Sequence, residues 1–161
     1  MSPSSSGSEA RGSRFEVMKM TGRAFACFLL GAATLVGSAN AQDRFRVIVN
    51  PANPATSLSS AELSRLFLKK TVSWPGGLPV AAVDQERKSS VRRAFSRAVH
   101  AKDPDAIVSH WQTMVFSGRD TPPPVKASDA SVIEFVRSNP GAIGYVSETA
   151  DLAGVKALAI R

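Results

Sequence analysis

The sequence predicts an α/β domain with a mixed or partly parallel sheet flanked by helices. Short segments rich in Val, Ile and Ala alternate with amphipathic segments of helical spacing. Pro- and Gly-containing turns separate these segments. The only cysteine, Cys27, lies near the start of the chain, so the domain depends on its core and not on disulfides.

Residues 1–41 are predicted to be a cleaved secretory signal. Four basic residues precede the apolar run 24–37, and small residues at Ala39 and Ala41 are typical of a signal-peptidase site. The apolar run is too short to span a bilayer stably, so we expect no stable membrane insertion after cleavage. We therefore predict a periplasmic protein.

The true start of translation is open, since Met18 or Met20 also precedes the apolar run. In either case residues 42–161 remain, a length that supports one compact domain. They keep 16 of the 20 basic and 11 of the 13 acidic residues, a net charge of +5. That balance favours an acidic ligand. Nucleic acid is not expected as a partner, because the protein is predicted to be exported and lacks interleaved aromatic and basic residues.

The first half of the domain contains two predicted strands and one helix. Residues 46–50 form a β-branched run that Pro51 closes. Ser59 and Glu62 form a capping box, which predicts a short amphipathic helix. Residues 78–83 are predicted to form a second strand.

Three further helices follow. One begins after Ser89, a second begins at Pro104 after Asp103, and a third begins after Ser128. An extended connector is expected over residues 121–124. The expected buried stripe of the second of these helices is Ile107, Val108, Trp111, Met114 and Val115.

The chain is predicted to end with two strands. Residues 142–146 form an apolar run in which Gly144 marks a bulge or a close backbone approach. Residues 156–160 form the closing strand.

The sequence favours a binding protein over an enzyme. His100 and His110 have no Cys or acidic cluster in metal-ligand spacing, so they are interpreted as surface or helix-end residues, and no metal or cofactor is expected. Asp103 and Asp105 are explained by their position at a helix start. Nucleophile elbow, P-loop and dinucleotide motifs are absent from the sequence.

The helix that begins after Ser89 is the strongest candidate site. Unpaired N–H groups and the macrodipole at a helix start attract anions. Lys88, Ser89, Ser90 and Arg92 would complete a site for a phosphate-like anion. The simpler alternative is that Ser89 only caps a surface helix. A possible second anion loop is formed by residues 117–119, that is Ser117, Gly118 and Arg119.

Three segments carry a family resemblance. Residues 58–70, with Trp74 soon after, are similar to an L-S-x-x-E-L-x-x-I-F-x-G-K … W segment. Residues 89–95 lie where S-G-T-R-x-A-F is expected, and residues 138–146 are similar to N-P-G-A-I-G-Y-V. Together they resemble the periplasmic phosphate-binding (PstS-like) substrate-binding proteins of ABC transporters. The resemblance implies a single lobe of the periplasmic-binding-protein-like (type II) fold.

The resemblance also implies that Ser89 and Arg92 contact a bound phosphate. Ser90 and Lys88 stand at glycine positions of the family motif, and Val91 stands at its threonine, so one hydroxyl ligand is lost. The opposing lobe of the family's clamp has no counterpart in this sequence. Two hypotheses follow. One is a domain that binds inorganic phosphate or a similar oxyanion and works with an ABC permease or another envelope protein. The alternative is a protein-interaction module that has lost ligand binding.

Overall fold

Residues 44–161 are described by a computed structural model, so the predicted signal sequence lies outside the described residues. They form a mixed five-stranded sheet, a two-stranded sheet and four helices. The predicted fold class, α/β with a mixed sheet flanked by helices, is confirmed. The strands are β1 (Phe45–Val49), β2 (Ser57–Leu58), β3 (Ala81–Ala82), β4 (Asp84–Gln85), β5 (Val125–Lys126), β6 (Ala142–Ser147) and β7 (Lys156–Ile160). The helices are α1 (Ser60–Phe67), α2 (Ser90–His100), α3 (Pro104–Phe116) and α4 (Asp129–Ser138).

The strand order of the larger sheet is β2-β7-β1-β6-β3. The central strand β1 is antiparallel to both β6 and β7. The outer strands β2 and β3 run parallel to β7 and β6. In the smaller sheet, β4 is parallel to β5.

A single strand was predicted over residues 78–83. The strand in the structure, β3, covers only two of these residues, and the chain then crosses to the smaller sheet. Ala81 and Ala82 pair with β6, and after Val83 the chain continues as β4, which pairs with β5. Pro79 makes only an isolated bridge with Ser73, because proline has no N–H for a sheet ladder. The two-residue strands β2 and β5 were not predicted, since two residues show no periodicity.

The two faces of the sheet are covered by different helices, because successive side chains of a strand point to opposite faces. On one face, α1 and α2 pack against an aromatic group in which the rings of Phe95 and Tyr145 stack with centroids 3.9 Å apart. On the other face, α4 packs Val132 and Val136 against Ile48 of β1.

Gly144 allows α4 to approach the sheet closely. The register between β1 and β6 is regular at this position, with Ile48 opposite Gly144, so there is no bulge. A Cβ atom at residue 144 would lie 2.7 Å from Cγ1 of Val132 and 2.8 Å from Cγ1 of Val83. Of the two alternatives predicted for Gly144, close approach is confirmed.

The buried stripe of α3 was predicted correctly only in part. Ile107 and Trp111 are buried, whereas Val115 is 47% exposed. Within residues 44–161, no helix has the length and apolar character needed to cross a membrane.

Candidate functional site

The start of α2 lies directly after β4 and a tight turn. The Ser89 N–H donates to the Glu86 carbonyl at 2.9 Å and closes this turn. The Ser89 hydroxyl oxygen accepts from the Arg92 N–H at 3.3 Å and caps the helix. The same hydroxyl donates to Oε1 of Gln85 at 2.7 Å. The Ser89 hydroxyl thus has two partners within the protein.

Arg92 points into the protein and is only 5% exposed. Its Nη2 lies 2.8 Å from Oδ2 of Asp84, and its Nη1 donates to the Gln85 carbonyl. Its Nε is buried and has no hydrogen-bond partner among the described residues. The guanidinium is therefore held by β4, with one N–H left unsatisfied.

Asp84 is held by further donors besides Arg92. The Tyr145 hydroxyl and the Gln85 N–H both donate to its Oδ1, the latter at 2.8 Å. Burial raises the pKa of Asp84, and Arg92, Tyr145 and the Gln85 amide offset part of that rise. Burial also raises the pKa of Tyr145, and the Asp84 charge adds to this, so the phenol stays protonated and donates.

Gln85 joins this cluster to the start of α4. Its Nε2 donates to Oδ1 of Asp129 at 2.8 Å and to the Tyr145 carbonyl at 3.0 Å. Oδ2 of Asp129 accepts from the hydroxyl of Ser147 at 2.5 Å. The start of α2 is thus connected by buried and partly buried hydrogen bonds to β4, β6 and α4, which fixes its position.

An open groove of about 1290 Å³ lies between the start of α2, α3 and the proline connector. Charged residues of the groove come from β4, the turn after it, α2 and the start of α3, and apolar residues come from α3, the connector and β5. The lining includes Asp84, Glu86, Arg87, Lys88, Arg92, Arg93, Arg97, Asp103, Asp105, Trp111, Val115, Phe116, Pro122, Pro123 and Val125.

Two surface ion pairs cross between the α2 and α3 walls of the groove. Nε of Arg87 lies 2.6 Å from Oδ1 of Asp105. Nε of Arg97 lies 2.9 Å from Oδ1 of Asp103, which makes no side-chain cap bond. Asp103 is the N-cap residue of α3 and Pro104 is the first helical residue, as predicted, but the Asp103 carboxylate pairs with Arg97 and makes no cap hydrogen bond.

The candidate residues at the start of α2 have different surroundings. Lys88 is exposed and makes no ion pair with any of residues 44–161, and Ser90 is half-buried as the first residue of α2. Val91, which replaces the expected threonine, is buried in the aromatic core.

The structure places the second candidate loop at the C-terminal end of α3. The Ser117 hydroxyl donates to the Met114 carbonyl at 3.0 Å. The N–H groups of Gly118 and Arg119 donate to the Val115 and Met114 carbonyls, both at 3.0 Å. None of residues 117–119 lines the groove beside Arg92. The structure therefore does not bring the two candidate anion sites together.

The two histidines do not form a site with acidic residues. His100 is the last residue of α2, and its Nδ1 lies 2.9 Å from the Ser64 hydroxyl. Burial, together with the charges of Arg92 and His110, lowers the pKa of His100 to about 4, so this ring is neutral at neutral pH. His110 is half-buried within α3, not a surface residue. In the described part of the chain, no group of three His, Cys, Asp or Glu residues could hold a metal ion.

Comparisons with known proteins support the fold. No family model and no curated protein matches the chain. An ABC-type phosphate transport receptor from Vibrio cholerae matches with a TM-score of 0.58 and 21% identity over 72% of this chain and 45% of that one.

Two other crystal structures match at a similar level. A putative phosphate ABC transporter substrate-binding protein from Clostridium perfringens, solved with bound phosphate, has a TM-score of 0.57 and 21% identity over 72% of this chain and 44% of that one. A possible phosphate binding protein from Planctomyces limnophilus has a TM-score of 0.55 and 18% identity over 73% of this chain and 41% of that one. The chain thus spans less than half the length of these structures. At these identities the similarity establishes a shared fold.

Sequence reasoning missed Asp84 and Gln85, which bond to Arg92 and Ser89, and Tyr145, which donates to Asp84. One signal was available for Asp84, a charged residue that directly follows the apolar run ending at Val83. A charged side chain at the end of a buried strand usually has a buried partner.

Proposed function

We propose that this protein is an exported binding module on a single solute-binding-protein-like lobe, in which Asp84 occupies the place of an oxyanion beside Arg92. The observation that carries this proposal is the buried ion pair between Arg92 and Asp84. Carboxylates and phosphates pair with arginine through the same N–H groups. An arginine that already holds an internal carboxylate has little left for a free anion. The functional surface is then the groove, as in the interaction-module hypothesis.

Displacement of Asp84 by a free anion would be costly. Separating a buried ion pair leaves an uncompensated charge, which typically costs about 3–5 kcal/mol. A phosphate ion would have to compensate for this cost and for its own desolvation. We therefore expect weak phosphate binding by the unaltered protein.

The variant Asp84→Asn tests the proposal directly. Asparagine keeps the shape of the side chain but leaves the buried Arg92 charge without a counterion. We expect the melting temperature of this variant to rise with added phosphate or sulfate, because a ligand at 100 times its Kd stabilises by about 2.7 kcal/mol. The unaltered protein should respond much less.

Asp103→Asn is the matched control, because Asp103 is an exposed carboxylate in the same groove that also pairs with an arginine. This control should behave like the unaltered protein. A folded Asp84→Asn variant with no specific anion response would contradict the proposal.

A second candidate function is the binding of phosphate or a similar oxyanion by Ser89, Ser90, Arg92 and Lys88, in association with an ABC permease. Two observations within residues 44–161 favour it. Nε of Arg92, a residue that lines the groove, is buried and has no hydrogen-bond partner there, and Lys88 is exposed and makes no ion pair. Calorimetric titration of the unaltered protein with phosphate distinguishes the two functions. Submillimolar affinity that falls in Lys88→Ala would favour the second candidate over the first.

Localisation in the periplasm is part of both proposals, and it is supported by the sequence of residues 1–41. Neither proposal includes catalysis or a cofactor.

A further inference from the structure

The last residue of α3 is an apolar residue with an unusually exposed side chain. Phe116 is 88% exposed, the highest value among the large hydrophobic side chains of residues 44–161. Val115 and Val125 beside the same groove are 47% and 51% exposed. We call these three residues the Phe116 patch. Exposed apolar surface at the rim of a groove is typical of an interaction site.

The groove next to this patch is too large for a small oxyanion. Its volume of about 1290 Å³ exceeds that of most small-molecule pockets, which range over roughly 300–1,000 Å³. Trp111 and Pro123 contribute buried apolar side chains to its wall. The groove can therefore accept side chains of another protein.

The Phe116 patch and the groove are parts of one surface. Phe116 itself lines the groove and projects from its rim. A two-fold symmetric dimer requires a surface that complements itself, since each copy presents the same residues to the other. A projecting ring beside a groove that holds apolar side chains meets this requirement.

The charges of the groove also fit a second copy of the chain. The lining contains five basic and four acidic side chains, so it is nearly balanced. Lys88, Arg93 and Glu86 make no ion pair within the described residues and remain available to a partner. A balanced surface can face its own copy without net repulsion, whereas an anionic polymer or membrane would require a basic one.

We propose that the groove between α2 and α3 binds a second copy of this chain, with Phe116 of each copy inserted into the groove of the other. This inference rests on the proposed function, which takes the groove as the binding surface, and adds that the partner is a second copy of the chain.

Sedimentation velocity of the purified protein over a concentration range of about 1–200 µM tests the proposal. We expect a monomer–dimer equilibrium within this range. Phe116→Ser should weaken the dimer at least about tenfold, since buried aromatic anchors dominate interface energies. A protein that stays monomeric over the whole range overturns the proposal and would point to a different chain as the occupant.

Val72→Ser is the matched control, because Val72 is also a large exposed hydrophobic residue, at 63%, but does not line the groove. It should leave the dimer unchanged. A dimer that tolerates Phe116→Ser and is lost in Val72→Ser would also overturn the proposal. Both variants should fold, because the substituted side chains are exposed.

The two proposals fail separately. A monomeric protein whose Asp84→Asn variant responds to anions would remove the dimer and keep the proposed function. A Phe116-dependent dimer without that anion response would remove the role given to Asp84 and keep the groove as an interface.

Discussion

The two helices that border the groove use their side chains in opposite ways. At the start of α2, Ser89 and Arg92 match a phosphate-binding pattern, yet they bond to Gln85 and Asp84. On α3, Phe116 belongs to no recognisable ligand motif and remains 88% exposed. The residues of the motif are thus bonded to other residues of the protein, whereas the exposed apolar surface lies on α3, outside the motif. A residue that matches a ligand-binding motif therefore indicates a ligand only when neighbouring residues do not already use its hydrogen-bonding groups.

The largest expected effect is on the free energy of unfolding, which should respond to a substitution on α2 far more than to one on α3. Arg92→Met should destabilise the protein by about 3–5 kcal/mol, because it leaves the buried Asp84 carboxylate without its counterion. Phe116→Ser should change the free energy of unfolding by no more than about 0.5 kcal/mol, as is usual for surface substitutions. Urea denaturation at low protein concentration measures both.

A double variant sharpens this result. Arg92→Met combined with Asp84→Leu removes both charges, so its cost should be smaller than the sum of the two single costs. Additive costs would mean that the two side chains do not act as a pair, and the contrast between the walls would fail.

A smaller effect follows from His100, whose pKa of about 4 depends partly on the Arg92 charge. The unfolded chain takes up a proton near pH 6.5, and the folded protein does so only near pH 4. The free energy of unfolding should therefore fall as the pH decreases from 6.5 to 4, by up to about 3 kcal/mol at 1.36 kcal/mol per pKa unit. Denaturation curves at several pH values measure this slope.

His100→Gln is the control, and its slope should be flatter over the same range. In Arg92→Met, the His100 pKa measured by NMR titration should rise, because one of the charges that opposes protonation is gone. An unchanged His100 pKa would show that the Arg92 charge does not reach the end of α2.

The smallest effect concerns the cap of α2. Ser89→Ala should cost about 1 kcal/mol for the lost cap, and more because Oε1 of the buried Gln85 loses a donor. Ser128→Ala at the start of α4 is the comparison, since within residues 44–161 the Ser128 hydroxyl bonds only to the hydroxyl and the N–H of Ser131, and both bonds are exposed. Equal costs in thermal unfolding would indicate that the second bond of Ser89 contributes nothing.

The helices and long strands could be predicted from the sequence because their signals are local. The capping box of Ser59 and Glu62 is present, with the Ser59 N–H donating to Oε2 of Glu62 at 2.7 Å. The helix starts at Ser89, Pro104 and Ser128 also lie where the sequence indicates. Each signal needs only residues within one turn of the helix.

The strand pairing and the Asp84 cluster depend on distant residues and could not be predicted. The β5 strand exists because residues 125–126 pair with β4, about forty positions earlier. Asp84 meets Tyr145 of β6 only because the chain changes sheets after Val83. Val115 has apolar spacing on α3, but no element of residues 44–161 covers it, so its exposure could not be predicted from the helix pattern.

The order of the sheet has a consequence for when the protein can fold. The central strand β1 is the first strand of the domain, yet both of its neighbours, β6 and β7, lie within the last twenty residues. Such long-range pairing is slow, since a long loop must close before any contact forms. The sheet therefore cannot be completed until the carboxyl end of the chain is available. Under the export proposed above, this late completion would leave β1 without its sheet partners until β6 and β7 have been synthesised.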